Sequence, residues 1–181
     1  RSEEVTANAA RVRSLALQNG ALDFIELSDA RQCADIWRVR GALVKAVEAV
    51  SEQEPVDIVV PISRTADFIR FINDLEAQSG MQMVSFGHAG DGNLHIYCCA
   101  NDMALDEFKR RSKAVMDKCY AKCTEFGGQV SGEHAIGHAK KQYLLESVGE
   151  TAFGLMQAIK QVFDPKGILN PGKVCTNVEE G

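Results

Sequence analysis

The chain has 181 residues, enough for a compact domain with its own core, and apolar residues make up an ordinary 45% of it. Lys and Arg number 20 and Asp and Glu 25, so the formal net charge of −5 argues against a nucleic-acid-binding protein. No run approaches the roughly 20 apolar residues of a membrane helix. The charged start does not resemble a signal peptide.

The six cysteines match neither a zinc ribbon nor a compact disulfide framework in their spacing. We therefore expect reduced thiols and a cytoplasmic location. Cys119 and Cys123 lie four residues apart on a predicted helix, where a metal site is conceivable, but one of them falls in the apolar stripe. We interpret both as core thiols.

Hydrophobic periodicity predicts alternating helices and strands along the chain. The predicted helices cover residues 3–19, 29–50, a segment that ends at Ser79 and begins at Ser63 or Thr65, 105–126 and 150–163. The predicted strands cover residues 21–27 and 57–61, two runs between 81 and 99, and the start of 129–137. Residues 164–181 are expected to be irregular.

Short strands joined by a tight Gly90-Asp91-Gly92 turn favour antiparallel pairing. The predicted fold class is therefore α+β, a ferredoxin-like α/β sandwich whose antiparallel sheet carries helices on one face. We expect residues 1–181 to form one such domain. The sequence has neither a dinucleotide-binding glycine motif nor a P-loop.

Two histidines flank the Gly-rich turn of the segment VSFGHAGDGNLHIYC, residues 84–98. In a hairpin, His88 and His95 can oppose each other on one face with Cβ atoms about 5 Å apart, close enough to share a metal ion. Glu133, in SGEHAIG, is the natural third ligand. Two imidazoles and one carboxylate leave coordination positions open, which is typical of catalytic sites. The alternative is two separate core or turn histidines.

Two further residues suit substrate chemistry. His134 follows Glu133 directly, so in an extended segment it points the other way and can accept a proton near neutral pH. A surface histidine is the alternative. Arg40 projects from within the apolar stripe predicted for the helix 29–50. An inward guanidinium needs an anion, either a structural carboxylate or the carboxylate of a substrate.

Three motifs in order resemble the C-terminal domain of the FAD-linked oxidases, the glycolate oxidase and D-lactate dehydrogenase group of the vanillyl-alcohol oxidase-like flavoproteins. These are GHAGDGNLH (87–95), GGQVSGEHAIGHAK (127–140) and FDPKGILNPGK (163–173), and IWRVR (36–40) and DIVVPISR (57–64) also fit. The resemblance extends over nearly the whole chain.

This resemblance implies a two-domain enzyme whose FAD lies mainly on a separate N-terminal domain. It implies a divalent metal, zinc, iron or manganese, on His88, His95 and Glu133. The position of His134 is that of the proposed base, Arg40 that of the carboxylate-binding arginine, and Asn170 lies in the turn that approaches the flavin.

The reaction implied is oxidation of a small D-2-hydroxy acid, such as glycolate or D-lactate, to the 2-oxo acid. Electrons then pass to an iron–sulfur subunit, an electron-transfer flavoprotein or a quinone. The resemblance is also compatible with a homodimer and with attachment to the inner membrane through these partners. We expect the isolated domain to be inactive, since it lacks the flavin.

The chain departs from the family pattern at Ala135, where glycine is usual. An alanine is strained there if the backbone requires a positive φ. Apolar Val44, one turn after Arg40, favours a small monocarboxylate. Two other functions stay open: a non-catalytic ferredoxin-like binding or assembly module, and a metal-dependent hydrolase with a His–His–Glu site.

Overall fold

The computed structural model describes residues 2–176. Its elements in chain order are α1 (Ser2–Gln18), α2 (Ala30–Gly41), α3 (Leu43–Glu48), β1 (Gln53–Val59), α4 (Thr65–Ser79), β2 (Met83–His88), β3 (Asn93–Cys99), α5 (Leu105–Glu125) and α6 (Lys141–Phe163). The chain divides into two compact units, one ending at Ala46 and the other beginning at Val47. No helix in this part of the chain is long and apolar enough to cross a membrane.

The N-terminal unit contains α1 and α2. The predicted first helix is confirmed, and Asp29 caps α2 as expected, because its side chain accepts a hydrogen bond of 2.9 Å from the backbone N–H of Gln32. The strand predicted over residues 21–27 is wrong. That segment is irregular, since the described part of this unit offers no strand with which its backbone can pair.

The single helix predicted over residues 29–50 is also wrong. α2 ends at Gly41 and α3 begins two residues later, so the helical phase is interrupted and the apolar stripe does not continue along one face. Of that stripe, Val47 is buried, whereas Ile36 is 55% exposed. The prediction that Arg40 projects from inside a buried stripe therefore fails, because the residue is exposed.

The second unit is built on an antiparallel sheet with the strand order β1-β3-β2. β1 and β2 are both antiparallel to β3, so they run parallel to each other, with α4 between them along the chain. After α5, Gln129 forms an isolated antiparallel bridge with Val59 of β1. The expected strand at 129–137 is thus reduced to one bridge. The order is ferredoxin-like, and the predicted α+β fold is confirmed.

The two faces of the sheet differ in character. On one face, side chains of the sheet form the core with residues of α4 and α5, including Val56, Ile58, Leu94, Ile96, Cys98, Phe68, Ile72, Leu75, Phe108, Val115 and Cys119. Because residues alternate between faces along a strand, the opposite face receives the polar residues of the motifs, among them Asp57 and His95. α4 and α5 cover the apolar face, so the candidate site lies on the polar face of the sheet.

Cys119 and Cys123 of α5 lie in the core, as predicted, and Cys98 of β3 lies there with them. Cys98, Cys119 and Cys123 are buried and free. Burial raises the pKa of Cys98 and of Cys123 to about 12, so these thiols remain protonated at neutral pH.

α6 begins at Lys141, nine residues before the predicted start. Gly149 has φ 76° and ψ 164°, which is not helical, so two helical segments meet at a kink. The sequence predicted only the second of them.

We predict that the core formed by α4 dominates the stability of the second unit. Ile72 is 1% exposed and Ile62, just before α4, is 60% exposed. Ile72→Ala should lower the free energy of unfolding by about 2–5 kcal/mol, whereas the matched change Ile62→Ala should alter it by less than about 0.5 kcal/mol. Urea unfolding of both variants measures the difference. Equal losses would contradict this assignment of the core.

Candidate metal and active site

The hairpin of β2 and β3 brings the first two histidines together. The loop between the strands is closed by the carbonyl of His88, which accepts hydrogen bonds from the backbone N–H groups of Asp91 and Gly92. His88 pairs with Asn93, and His95 pairs with Phe86. The sequence suggested that the two histidines oppose each other directly. The register instead makes them diagonal neighbours on one face of the sheet. Their ring centroids are 5.7 Å apart, so the hairpin still delivers both imidazoles to one place.

Glu133 reaches this pair from a turn that follows the bridge at Gln129. Its Oε1 atom lies 3.1 Å from His95 Nε2 and 3.6 Å from His88 Nε2. Ligands held about 2.1 Å from a tetrahedral zinc ion lie about 3.4 Å from each other, so the three donor atoms fit one divalent ion. The predicted third ligand is thus brought to the hairpin.

The turn that carries Glu133 is held by a buried carboxylate. Asp57, on β1, is 1% exposed. Its Oδ2 atom accepts hydrogen bonds from the backbone N–H groups of Gly132 (3.0 Å), Glu133 (3.2 Å) and His134 (2.9 Å), and from the Ser131 hydroxyl at 2.9 Å. Three successive amides therefore converge on one oxygen, as in an anion-binding nest.

Close packing explains a glycine in this turn. A Cβ atom on Gly132 would collide with the Asn93 side-chain amide and would come within 3.0 Å of Asp57 Oδ1. Asn93 in turn donates from Nδ2 to Asp57 Oδ1 at 2.9 Å and to the carbonyl of Ile58 at 2.9 Å. Asn93 is therefore a structural residue that links β3 to β1.

Electrostatics favour an ionised Asp57 beside a neutral His95. Burial alone would raise the pKa of Asp57, but hydrogen bonds from Asn93, from the His134 amide and from Ser131, together with the charge of Lys140, hold it well below its usual range. Burial, with the adjacent His134, lowers the pKa of His95. A neutral imidazole has a free lone pair, which a metal ligand requires.

His134 contacts both His95 and Glu133. Its ring stacks on that of His95 with centroids 4.7 Å apart, and its Nε2 atom is 3.8 Å from Glu133 Oε1. The side chain of His134 is 44% exposed, whereas that of His95 is 7% exposed. The arrangement combines a recessed imidazole with an accessible one.

The remaining two predicted site residues lie on other segments. Arg40 is in α2 of the N-terminal unit, where its guanidinium lies 5.4 Å from the centroid of the Trp37 ring. Asn170 is exposed in the C-terminal turn, with φ 46°. Asp164 supports that turn, because its carboxylate accepts hydrogen bonds from the backbone N–H groups of Ile168 and Leu169.

Sequence reasoning missed two residues of this site, Asp57 and Lys140. The Lys140 side chain is buried, and its Nζ atom lies 3.4 Å from Asp57 Oδ2. Each residue nevertheless has a signal in the sequence. Asp57 belongs to the otherwise apolar run DIVVP, and Lys140 ends the motif GGQVSGEHAIGHAK. Charged residues are seldom fully buried unless they are paired, so an aspartate in an apolar strand indicates a buried partner.

Comparison with known proteins gives consistent matches over almost the whole chain. Residues 1–174 match the family described as FAD linked oxidases, C-terminal domain. A D-lactate dehydrogenase of Anaerostipes hadrus is 48% identical over 174 residues, 96% of this chain and 36% of that protein. Glycolate oxidase subunit GlcD of Bacillus subtilis is 34% identical over 156 residues, 84% of this chain and 33% of that protein.

A D-2-hydroxyglutarate dehydrogenase of Stutzerimonas stutzeri is 33% identical over 162 residues, 87% of this chain and 34% of that protein. The chain thus spans about one third of the length of these relatives.

The backbone at Ala135 leads to a prediction. Its φ is 60°, the left-handed region in which an alanine is strained by about 1–2 kcal/mol. Ala135→Gly should relieve that strain. After subtraction of about 0.4–1 kcal/mol for the greater freedom of the unfolded chain, the net stabilisation should be about 0–1.6 kcal/mol.

The matched control is Ala139→Gly in the same loop, where φ is not positive. That change should destabilise the protein by about 0.4–1 kcal/mol. Denaturant unfolding measures both variants. A destabilised Ala135→Gly protein would show that the strain does not exist in solution.

Proposed function

Because the chain belongs to the family of FAD linked oxidases, C-terminal domain, we propose that it supplies the substrate- and metal-binding part of a flavin-dependent dehydrogenase. The substrate class is a small D-2-hydroxy acid, and the product is the 2-oxo acid. The observation that carries this proposal is the convergence of His88, His95 and Glu133, with donor atoms within 4.8 Å of one another, beside His134.

His88, His95 and Glu133 would hold a divalent ion, zinc, iron or manganese. When bound, such an ion polarises a coordinated hydroxyl and lowers its pKa. Two imidazoles and one carboxylate are donors that all three metals accept, so the residues do not select among them. The recessed position of His95, against the more open Glu133, gives the site a closed side and an accessible side.

His134 is proposed as the base that accepts the hydroxyl proton of the substrate. Its stack on His95 limits rotation of the ring, while its exposure leaves it open to a bound molecule. An imidazole is suited to this step, because its ordinary pKa lies near neutral pH. The flavin of the N-terminal FAD domain would supply the acceptor for the C2 hydrogen, while His134 holds the hydroxyl proton.

Arg40 is proposed to bind the substrate carboxylate. A guanidinium presents paired N–H donors that match a carboxylate bidentately, which would orient the substrate. Apolar Val44 nearby in sequence favours a monocarboxylate such as glycolate or D-lactate.

Asn170 is proposed to approach the flavin from the C-terminal turn. We further propose that electrons leave the flavin for an iron–sulfur subunit, an electron-transfer flavoprotein or a quinone. A homodimer and a cytoplasmic location, with attachment to the inner membrane through partners, complete the proposal. The isolated domain should be inactive, because the redox cofactor lies on the N-terminal domain.

The metal assignment is tested on the full-length protein that carries this chain. The purified protein should contain about one equivalent of divalent metal, and the double variant His88→Ala/His95→Ala should lose it together with activity. His138→Ala is the matched control, because this exposed histidine belongs to neither cluster of potential ligands found among the described residues. Elemental analysis measures the content.

Metal retained in the double variant would contradict the ligand assignment. A metal-free wild-type protein that still oxidises hydroxy acids would do the same. A metal-free protein with no activity towards any hydroxy acid would favour the non-catalytic module instead.

The role of His134 is tested by His134→Asn. Removal of a general base should lower kcat by about 10²–10⁴-fold, while the metal content stays unchanged. Stopped-flow reduction of the flavin by the D-2-hydroxy acid isolates this step. His138→Asn provides the control and should retain the wild-type rate. A loss below about tenfold for His134→Asn would exclude it as the base.

A further inference from the structure

Asp57 is the residue on which both halves of the candidate site converge. It sits opposite His95 in the register of β1 and β3, so the two side chains share one face of the sheet. The same carboxylate receives the three amides of Gly132, Glu133 and His134. One carboxylate on β1 thus contacts the hairpin and the turn, which are separated by more than 30 residues in sequence.

The contact with the hairpin involves an otherwise unpaired nitrogen. The Nδ1 atom of His95 is buried and has no hydrogen-bond partner among residues 2–176, and it lies 3.5 Å from Asp57 Oδ1. At this distance the negative charge of Asp57 favours a proton on Nδ1. The lone pair of Nε2 is then directed away from Asp57, towards Glu133, whose Oε1 atom is 3.1 Å away.

Asp57 itself is poorly placed to bind an ion, although Asp57, His95 and His134 form a second group with donor atoms within 4.8 Å. Its Oδ2 atom already accepts four hydrogen bonds from residues 131–134, and Oδ1 accepts one from Asn93. The buried Lys140 ammonium lies 3.4 Å from Oδ2. A cation there would be repelled by Lys140 and would displace donors that the carboxylate needs.

We propose that Asp57 is a positioning residue of the metal site. It holds His95 in the tautomer that presents Nε2, and it fixes the turn that presents Glu133 and His134. Lys140 balances the buried charge. This inference rests on the proposed function for the identity of the site, and it adds a residue that acts through the ligands.

Carboxylates that orient a metal-bound histidine affect metal affinity by about 10–100-fold when they are removed. In Asp57→Asn the side chain keeps its size, but the carboxylate charge is lost and only one acceptor oxygen remains, so it cannot accept from the turn and from Asn93 at the same time. We therefore expect both the tautomer preference of His95 and the order of the turn to weaken.

The test uses the full-length protein, freed of metal and titrated with Co²⁺. The Asp57→Asn variant should bind Co²⁺ about 10–100-fold more weakly, and the visible absorption of the bound Co²⁺ should change in intensity, which reports altered ligand geometry. Hydrogen exchange of peptides covering residues 131–140, measured without metal, should become faster. Ser131→Ala, which removes one donor to Asp57 and leaves the charge in place, should cause a smaller loss in the same direction.

The matched control is Tyr143→Phe. This change also deletes a hydrogen bond of a buried side chain, the 2.6 Å contact from the tyrosine hydroxyl to Asp117, but it lies outside the cluster. It should leave Co²⁺ affinity and absorption unchanged. If Asp57→Asn does not fold, the Ser131→Ala protein decides by the same readouts.

The outcomes separate the two proposals. If the wild-type protein binds Co²⁺ and the Asp57 and Ser131 variants bind it equally well with the same absorption, the positioning role is overturned and the proposed function stands. If the wild-type protein binds no Co²⁺, the metal part of the proposed function fails and the positioning of metal ligands falls with it. Weaker binding in Asp57→Asn, with Tyr143→Phe unchanged, supports the inference.

Discussion

The candidate site depends on one buried anion. The carboxylate of Asp57 is almost inaccessible to water, and it is stabilised by amides, a hydroxyl, a side-chain amide and a buried ammonium rather than by solvent. Such a charge is costly to bury unless its donors are fixed. Asp57 needs these fixed donors, and the donors in turn are held in place by their hydrogen bonds to Asp57. Asp57 therefore ties the turn that presents Glu133 and His134 to β1 of the sheet.

The hairpin part of the site was predictable from local geometry, whereas Glu133 and His134 were predicted from their residue types and their motif. The Gly-rich turn implied a hairpin, and a hairpin necessarily brings His88 and His95 close together, although the register makes them diagonal rather than opposed. Asp57 was missed because its donors lie 36 and 74–77 residues away in sequence. No periodicity encodes such a partnership.

The fold was predictable to a similar extent, and for the same reason. Helices with one apolar face packed on the sheet, such as α4 and α5, were located almost to the residue, since periodicity and core packing agree there. The errors fall where an apolar pattern lacks a packing partner in the same unit, at residues 21–27 and 29–50, or where one glycine interrupts a helix, at Gly149. Pattern alone does not determine whether a segment has a neighbour with which to pair.

The device built around Asp57 occurs a second time, on a smaller scale. Asp164 is 5% exposed, accepts hydrogen bonds from two successive amides, and pairs with Lys160 at 2.6 Å. It fixes the turn before Asn170, whose φ is positive, just as Asp57 fixes the turn before Ala135. In both cases a recessed carboxylate–lysine pair sets a backbone that no regular element would hold. Glu133, His134 and Asn170 stay exposed while buried carboxylates hold the backbone of their turns. The carboxylates that fix these turns, Asp57 and Asp164, are buried, whereas the side chains that the turns present are exposed. The geometry of the site is therefore set by residues that do not themselves contact a substrate.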